Sequence, residues 1–189
     1  MNAMSMPSPI GTLLLCQRGE ALCAVRRIGD GRADITQEQE SLYAESRGIK
    51  AALSPAEDCC AWEATPLLNE TKRQIDAYFA GQLRAFDLPL ASEGSAFDKS
   101  VWHALAAIPY GSINSYGELA AAIGNQKASR AVGGACSRNP VLIIIPCHRA
   151  VGATGRLTGF AAGMQAKKTL LTLEGFGIRG DRIVPKARG

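Results

Sequence analysis

Histidine is scarce in this chain, whose 189 residues hold only His103 and His148. A His-rich catalytic metal site cannot be built from two, and any imidazole base must be one of them. Six cysteines stand at 16, 23, 59, 60, 136 and 147 with no C-x-x-C pair, which excludes a zinc ribbon and a thioredoxin-type motif. No apolar run nears the roughly 20 residues of a membrane span; even "VLIII" at 141–145 stops at Pro146. The start, "MNAMSMPSPIG", has no apolar core followed by a small-residue cleavage pattern, so a cytoplasmic location is expected, with the cysteines as thiols. Repeats and low-complexity tracts are absent too. Net charge is +4, a mild bias toward polyanions that by itself says little about nucleic acid.

What is present suits one large or two small globular domains: 47% of residues are hydrophobic and 20% charged. Residues 10–28 predict a β-hairpin around "QRGE", with Leu13, Leu15, Leu22 and Val25 facing inward. From Gly29 to about Ala64 the pattern dissolves into charged and small residues, read as loops with at most one further strand or helix. Thr65 then caps a helix with Pro66 in its first turn and Leu68, Ile75, Tyr78 and Phe79 on its apolar stripe, ending before Gly81. Residues 83–90 read as a last extended segment, and "ASEGSA" at 91–96 has linker composition, dividing the chain into 1–94 and 95–189.

The second unit opens with a helix capped at Ser95 that buries Val101, Trp102, Leu105 and Ile108 before Pro109 and Gly111. Ser115 and Glu118 form a capping box for a short helix through Ile123, and a second helix runs from about Lys127 to Cys136. Helix, Gly-containing turn, helix fits a helix-turn-helix, and spacing alone fits an ordinary αα-hairpin as well. Its second helix is poor in side chains: Ala128, Ser129, Ala131, Gly133, Gly134 and Ala135 surround one long residue, Arg130. Two interior glycines cost about 1 kcal/mol each relative to alanine. Close approach of another backbone, from the protein or from a nucleic acid, would offset that.

"VLIIIP" predicts a buried strand, with Cys147 where it gives way to a turn. Adjacent residues of a strand point to opposite faces, so contact between Cys147 and His148 needs a turn or a bridging water. An ordinary thiol is only a few per cent ionised at neutral pH, and His148 and Arg149 nearby are expected to favour the anion. A buried cysteine is most often a small hydrophobe. That reading leaves the polar pair His148–Arg149 unexplained, as it does the loop spaced by Gly152, Gly155, Gly159 and Gly163, which suits a pocket wall close to a flat ligand.

The segments "IPYGSINSYGELAAAIG", "ASRAVGGACSRNP", "IIIPCHRAVGATGRLTGFAAG" and "LLTLEG" resemble the O(6)-alkylguanine-DNA alkyltransferase family, also called methylated-DNA–protein-cysteine methyltransferases. "SPIGTLLL" and "AYFAGQLRAFDLPL" extend the resemblance over nearly the whole chain except 30–62. It implies a ribonuclease-H-like α/β domain followed by a mainly helical, winged-helix-like domain carrying a helix-turn-helix and the active site. It further implies a monomer that binds double-stranded DNA through the minor groove, flips O(6)-alkylguanine out of the duplex and transfers the alkyl group irreversibly to Cys147. Activity on O(4)-alkylthymine stays open. By the same resemblance His148 is the base, acting through a water, Glu174 orients the imidazole, and Arg149 is an ion-pair partner. Arg130 fills the vacated stack; Ala128, Ser129, Ala131 and Gly133 line its helix against DNA. Tyr116 crowds the phosphate and contacts the extruded base; main-chain groups of Cys147, Ala150 and Ala161 line the pocket, and Asn139 is the hinge between the second helix and the cysteine segment. Phe160 stands where the family usually has tyrosine, and Ala161 and Ala162 where serine or glycine is frequent, which bears on pocket width. No cofactor is implied. The structural zinc of some members has no ligand set here, since Cys16 and Cys23 lack N-terminal histidines, so no metal is expected.

Two other readings make different demands. A cysteine hydrolase usually separates its cysteine and histidine widely in sequence and adds an oxyanion hole; Cys147 and His148 are neighbours. A module that recognises alkylguanine without repairing it belongs to a branch lacking the cysteine, which this chain retains.

Overall fold

The computed structural model describes residues 1–28, 61, 62 and 64–184. The hairpin expected over 10–28 forms from β2 (Thr12–Arg18) and β3 (Ala21–Ile28). Gly19, in the turn, takes φ +55°, a conformation that costs a glycine little. Leu13, Leu15, Leu22 and Val25 are completely buried; alternation places the first two on one face of β2, and a register shift opposite Cys16 and Gln17 brings Leu22 and Val25, three residues apart, to the same face of β3. The sequence predicts no strand at its start, yet β1 (Asn2–Met6) pairs antiparallel with β2, from Asn2 opposite Gln17 to Met6 opposite Leu13. β4 (Ala61–Trp62) joins β1 in parallel, giving the order β3-β2-β1-β4. The rest of the segment read as loops up to residue 64 lies almost wholly outside the described residues.

Helix α1 (Pro66–Phe79) packs on this sheet. Thr65 Oγ1 accepts from Leu68 N at 3.2 Å, and Leu68, Ile75 and Tyr78 are buried. Residues 83–90 pair at one point rather than as a strand: Leu22 N donates to the Pro89 carbonyl at 2.8 Å and Ala91 N to that of Leu22 at 3.0 Å.

In the second unit α2 (Ala96–Ala106), α3 (Tyr116–Ala122) and α4 (Ser129–Ser137) form where they are expected. Ser95 Oγ accepts from Asp98 N at 3.1 Å, and Ser115 and Glu118 satisfy each other's backbone N–H at 3.1 and 2.6 Å, leaving two helix starts with fewer orphan donors. α4 packs against α2 and α3. Trp102 Nε1 donates to the Ala135 carbonyl at 2.9 Å, and Arg138 pairs with Asp98 at 2.6 Å, fixing α4 to α2 at two heights. β5 (Asn114–Ser115) pairs in parallel with β6 (Ala150–Val151). Then come α5 (Met164–Leu173) and the hairpin of β7 (Gly177–Arg179) and β8 (Arg182–Val184).

The run 141–145 corrects the sequence reading. Val141, Leu142, Ile143 and Ile145 are buried as expected, but the segment is a tight turn, not a strand. Ile144 N donates to Leu142 O and Ile145 N to Val141 O, and Ile143 sits at φ +74°, a left-handed conformation that a β-branched residue rarely adopts. The start of this turn docks on β3: Val25 N donates to Pro140 O, Leu142 N to Val25 O, both at 3.0 Å, and Arg26 Nη1 reaches Asn139 O at 3.2 Å. Among the described residues no helix is long and apolar enough to cross a membrane.

Candidate active site

Cys147, His148 and Arg149 form a single 3-10 turn, all three buried. The turn removes the strand geometry that would have sent Cys147 and His148 to opposite faces. Asn139, at the end of α4, spans the compact loop between: its Oδ1 accepts from Val141 N at 3.0 Å, and its Nδ2 donates to Ile145 O at 2.8 Å and to Cys147 Sγ at 3.0 Å. A side chain expected to act as a hinge thus touches the sulfur itself.

The thiol is 2% exposed, and burial pushes its pKa up, against the opposing pull of the Asn139 hydrogen bond and the Lys167 charge. This reverses one expectation. His148 and Arg149 do not supply the field that favours the anion, because Arg149 is committed elsewhere: its Nε and Nη2 form a fork on Glu174 at 2.9 Å each, and Nη1 donates to Ile108 O at 2.6 Å. The resting sulfur is therefore a protonated thiol that needs a base.

An imidazole lies on the same turn. His148 Nε2 lies 2.9 Å from Glu174 Oε1. An ionised carboxylate only accepts, so this bond assigns the proton to Nε2 and leaves Nδ1 as the accepting nitrogen of the neutral ring. Nδ1 is buried without a partner among the described residues. Burial pushes the imidazole pKa down, and the Glu174 hydrogen bond and charge resist this. Burial would raise the Glu174 carboxyl, but hydrogen bonds from His148 and Arg149 overcome it and bring the pKa down to about 2. A buried thiol, a neutral imidazole and a charged carboxylate converge on one turn and the C-cap of α5, an arrangement able to act as nucleophile, base and orienter.

The sequence reading missed two residues here. Tyr78, expected only as apolar stripe, donates from its hydroxyl to Glu174 Oε1 at 2.8 Å. A wholly buried tyrosine needs a hydroxyl partner, but the partner lies 96 residues away, beyond any local signal. Lys167 is fully buried, with Nζ donating to Ala150 O at 2.6 Å and Thr158 O at 3.3 Å. Burial lowers its pKa to about 8, an effect that negative charge on the Cys147 and Cys136 sulfurs would oppose.

The remaining expected residues sit around this centre. Ala150 is buried in β6, Phe160 meets the His148 ring edge-on at 6.4 Å between centroids, and Ala161 is half-buried in the same loop. Tyr116, at the start of α3, accepts at its hydroxyl from Thr158 Oγ1 at 3.0 Å, tying that loop to the helix pair. Arg130 and Ala131 are exposed on α4, while Ala128, Ser129 and Gly133 are half-buried. Helix packing does not explain Gly133. A Cβ at 133 would meet Tyr116 Cε1 at an ordinary 4.0 Å, whereas one at 134 would press at 3.2 Å on the Arg138 guanidinium that pairs with Asp98. Among the described residues no three of His, Cys, Asp and Glu gather in a group that could hold a metal.

Two family models match in succession: "6-O-methylguanine DNA methyltransferase, ribonuclease-like domain" over residues 3–92 and "6-O-methylguanine DNA methyltransferase, DNA binding domain" over 96–176. A methylated-DNA–protein-cysteine methyltransferase of Methanosarcina acetivorans is 58% identical over 113 residues, 60% of this chain and 72% of that protein. One of Mycolicibacterium paratuberculosis is 40% identical over 171 residues, 90% of each chain. The crystal structure of the O6-methylguanine methyltransferase of Mycobacterium tuberculosis superposes with a TM-score of 0.73 at 36% identity over 92% of both chains. A structure titled Mycobacterium tuberculosis OGT in complex with DNA gives 0.74 at the same identity and coverage.

Proposed function

This chain belongs to the methylated-DNA–protein-cysteine methyltransferases, enzymes of DNA alkyl repair, and from that premise we propose that Cys147 is the acceptor in a single-turnover transfer from O(6)-alkylguanine in duplex DNA. The observation that carries the assignment is the Cys147–His148 turn, with a buried thiol held by Asn139 and an imidazole whose free Nδ1 is left by the Glu174 bond. His148 Nδ1 takes the thiol proton through a water, and Glu174 stabilises the imidazolium. Sulfur attacks the alkyl carbon in line, the carbon–O(6) bond breaks with its electron pair going to the base, and the base regains a proton as guanine. The product is a thioether with no water-labile bond, so each chain acts once. The same reading extends to O(4)-alkylthymine, which presents the same alkyl ether.

A buried thiol reaches a base only after the base leaves the stack, which costs a few kcal/mol. The face of α4 supports entry into a minor groove, where bulky side chains would prevent approach. Arg130 is its long exposed side chain, followed by Ala131 and by Gly133, which packing does not require. Arg130 fills the gap left by the extruded base, and Tyr116 bounds the pocket that receives it.

The test is mass spectrometry after incubation with excess O(6)-methylguanine duplex. One methyl on Cys147 per chain is expected, with none on Cys147→Ser, which still binds DNA. More than one methyl removed per chain would end the single-turnover reading, and transfer by the serine variant would end the assignment of Cys147.

A further inference from the structure

Tyr78 is fully buried on α1, in the first unit of the chain, while the residues its hydroxyl meets belong to the second. Its ring is held by Phe79, Phe86 and Tyr110, with centroids 5.4–6.0 Å away. The hydroxyl lies 2.8 Å from Glu174 Oε1 and 3.5 Å from His148 Nε2. One carboxylate oxygen thus receives donors from three places: Tyr78 on α1, the His148 ring, and the Arg149 fork. An oxygen with two lone-pair directions cannot serve all of them at full strength, so the donors compete.

We propose that Tyr78 is a positioning residue for the alkyl transfer, its hydroxyl taking a share of Glu174 Oε1 and thereby setting how strongly that carboxylate holds the His148 Nε2–H. The proposal rests on the alkyl-transfer reading given above. With the phenol present, less of the carboxylate's charge reaches the imidazolium, and the resting ring stays in the neutral form whose Nδ1 can take a proton. Burial and the charge of Glu174 keep the phenol itself protonated, so it remains a donor at any working pH. The titratable and charged groups around His148 are Tyr78 from α1, Glu174 and Lys167 from α5 and its C-cap, and Arg149 and Cys147 from its own turn. Of these, Glu174 favours the imidazolium, while Arg149 and Lys167 oppose it alongside burial.

Tyr78→Phe removes the hydroxyl and keeps the ring. Two readouts follow the imidazole: its NMR titration, assignable because the chain has only two histidines and His103 can be removed as His103→Gln, and the acid limb of Cys147 alkylation by free O(6)-benzylguanine. Both are expected to move to higher pH in Tyr78→Phe, by about half a pH unit, a threefold change in proton affinity. Replacing Tyr78 with 3-fluorotyrosine, a stronger donor of nearly the same shape, is expected to move both the other way, a graded response that lost packing would not produce. Unchanged titrations in a folded Tyr78→Phe protein, or in the fluorotyrosine protein should Tyr78→Phe fail to fold, would overturn the proposal. If the wild-type thiol is not alkylated at all, the alkyl-transfer reading fails, while the imidazole titration still decides the role of Tyr78.

Discussion

Methylating Cys147 should destabilise the protein that has done the reaction. The sulfur is 2% exposed and sits 3.0 Å from Asn139 Nδ2, so a methyl enters a packed site and crowds the amide away from the sulfur. Overpacking by one such group costs about 1–3 kcal/mol. Asn139 keeps its bond to Ile145 O, which limits the polar loss to one bond, about 0.5–1.5 kcal/mol net. Together these give about 1.5–4.5 kcal/mol, and for a chain of this length a melting temperature lower by about 3–18 °C. The loss should spread to α4, because Asn139 joins that helix to the thiol. The measurement is thermal unfolding of matched samples before and after complete alkylation, at one salt and without DNA. An unchanged or raised melting temperature would mean that the pocket takes up the methyl freely and that the packing argument is wrong.

The face of α4 yields two further expectations. Arg130→Ala should slow repair of duplex substrate far more than reaction with free O(6)-alkylguanine base; equal slowing would place Arg130 in folding. Gly133→Ala has room for its Cβ and should leave stability unchanged or raise it by up to about 1 kcal/mol, yet weaken DNA binding in a gel-shift titration; undiminished binding would remove the steric argument for that glycine. Lys167 links stability to pH. Its pKa is depressed from 10.5 to about 8 in the folded chain, so between those values the unfolded chain binds more protons and stability rises with pH. Denaturant midpoints should therefore show the wild type gaining on Lys167→Met as pH rises from about 8 to 10.5, and a constant difference would show that Lys167 titrates normally.

Local signals carried much of the architecture. Apolar patterning around the QRGE turn marked Leu13, Leu15, Leu22 and Val25, although only a bulge in β3 lets the last two share a face, and capping chemistry at Thr65, Ser95 and Ser115 placed three helix starts, because a cap is written in residues three apart. Long-range pairing was not legible: β1 has no strong pattern of its own and is a strand because β2 lies beside it. The run at 141–145 misled for a physical reason. A five-residue apolar run with four members buried looks alike as strand or turn, and a β-branched residue at φ +74° is the last thing its identity suggests. α5 carries Ala166, Leu170 and Leu171 inward, with a charged lysine in the middle of that buried face. At the site, the resemblance named Cys147, His148, Glu174 and Asn139, and the geometry brings those four together. Tyr78 stayed hidden because a core tyrosine and a site tyrosine read the same until the partner of the hydroxyl is known.

The junction at residues 92–96, where one family match ends and the next begins, looks like a natural crossover point for exchanging halves between relatives. The bonds spanning it tell against free exchange. The front half supplies the Tyr78 hydroxyl to Glu174, the Val25 backbone to Pro140 and Leu142, and Arg26 to the Asn139 carbonyl. A chimera could fold each half on its own sheet or helices and still assemble a poor nucleophile, because the grip on the thiol's neighbours comes from the other parent. Lineages should therefore inherit the two halves together, and a viable hybrid should be one whose donor keeps a tyrosine at 78 and the same β3 edge.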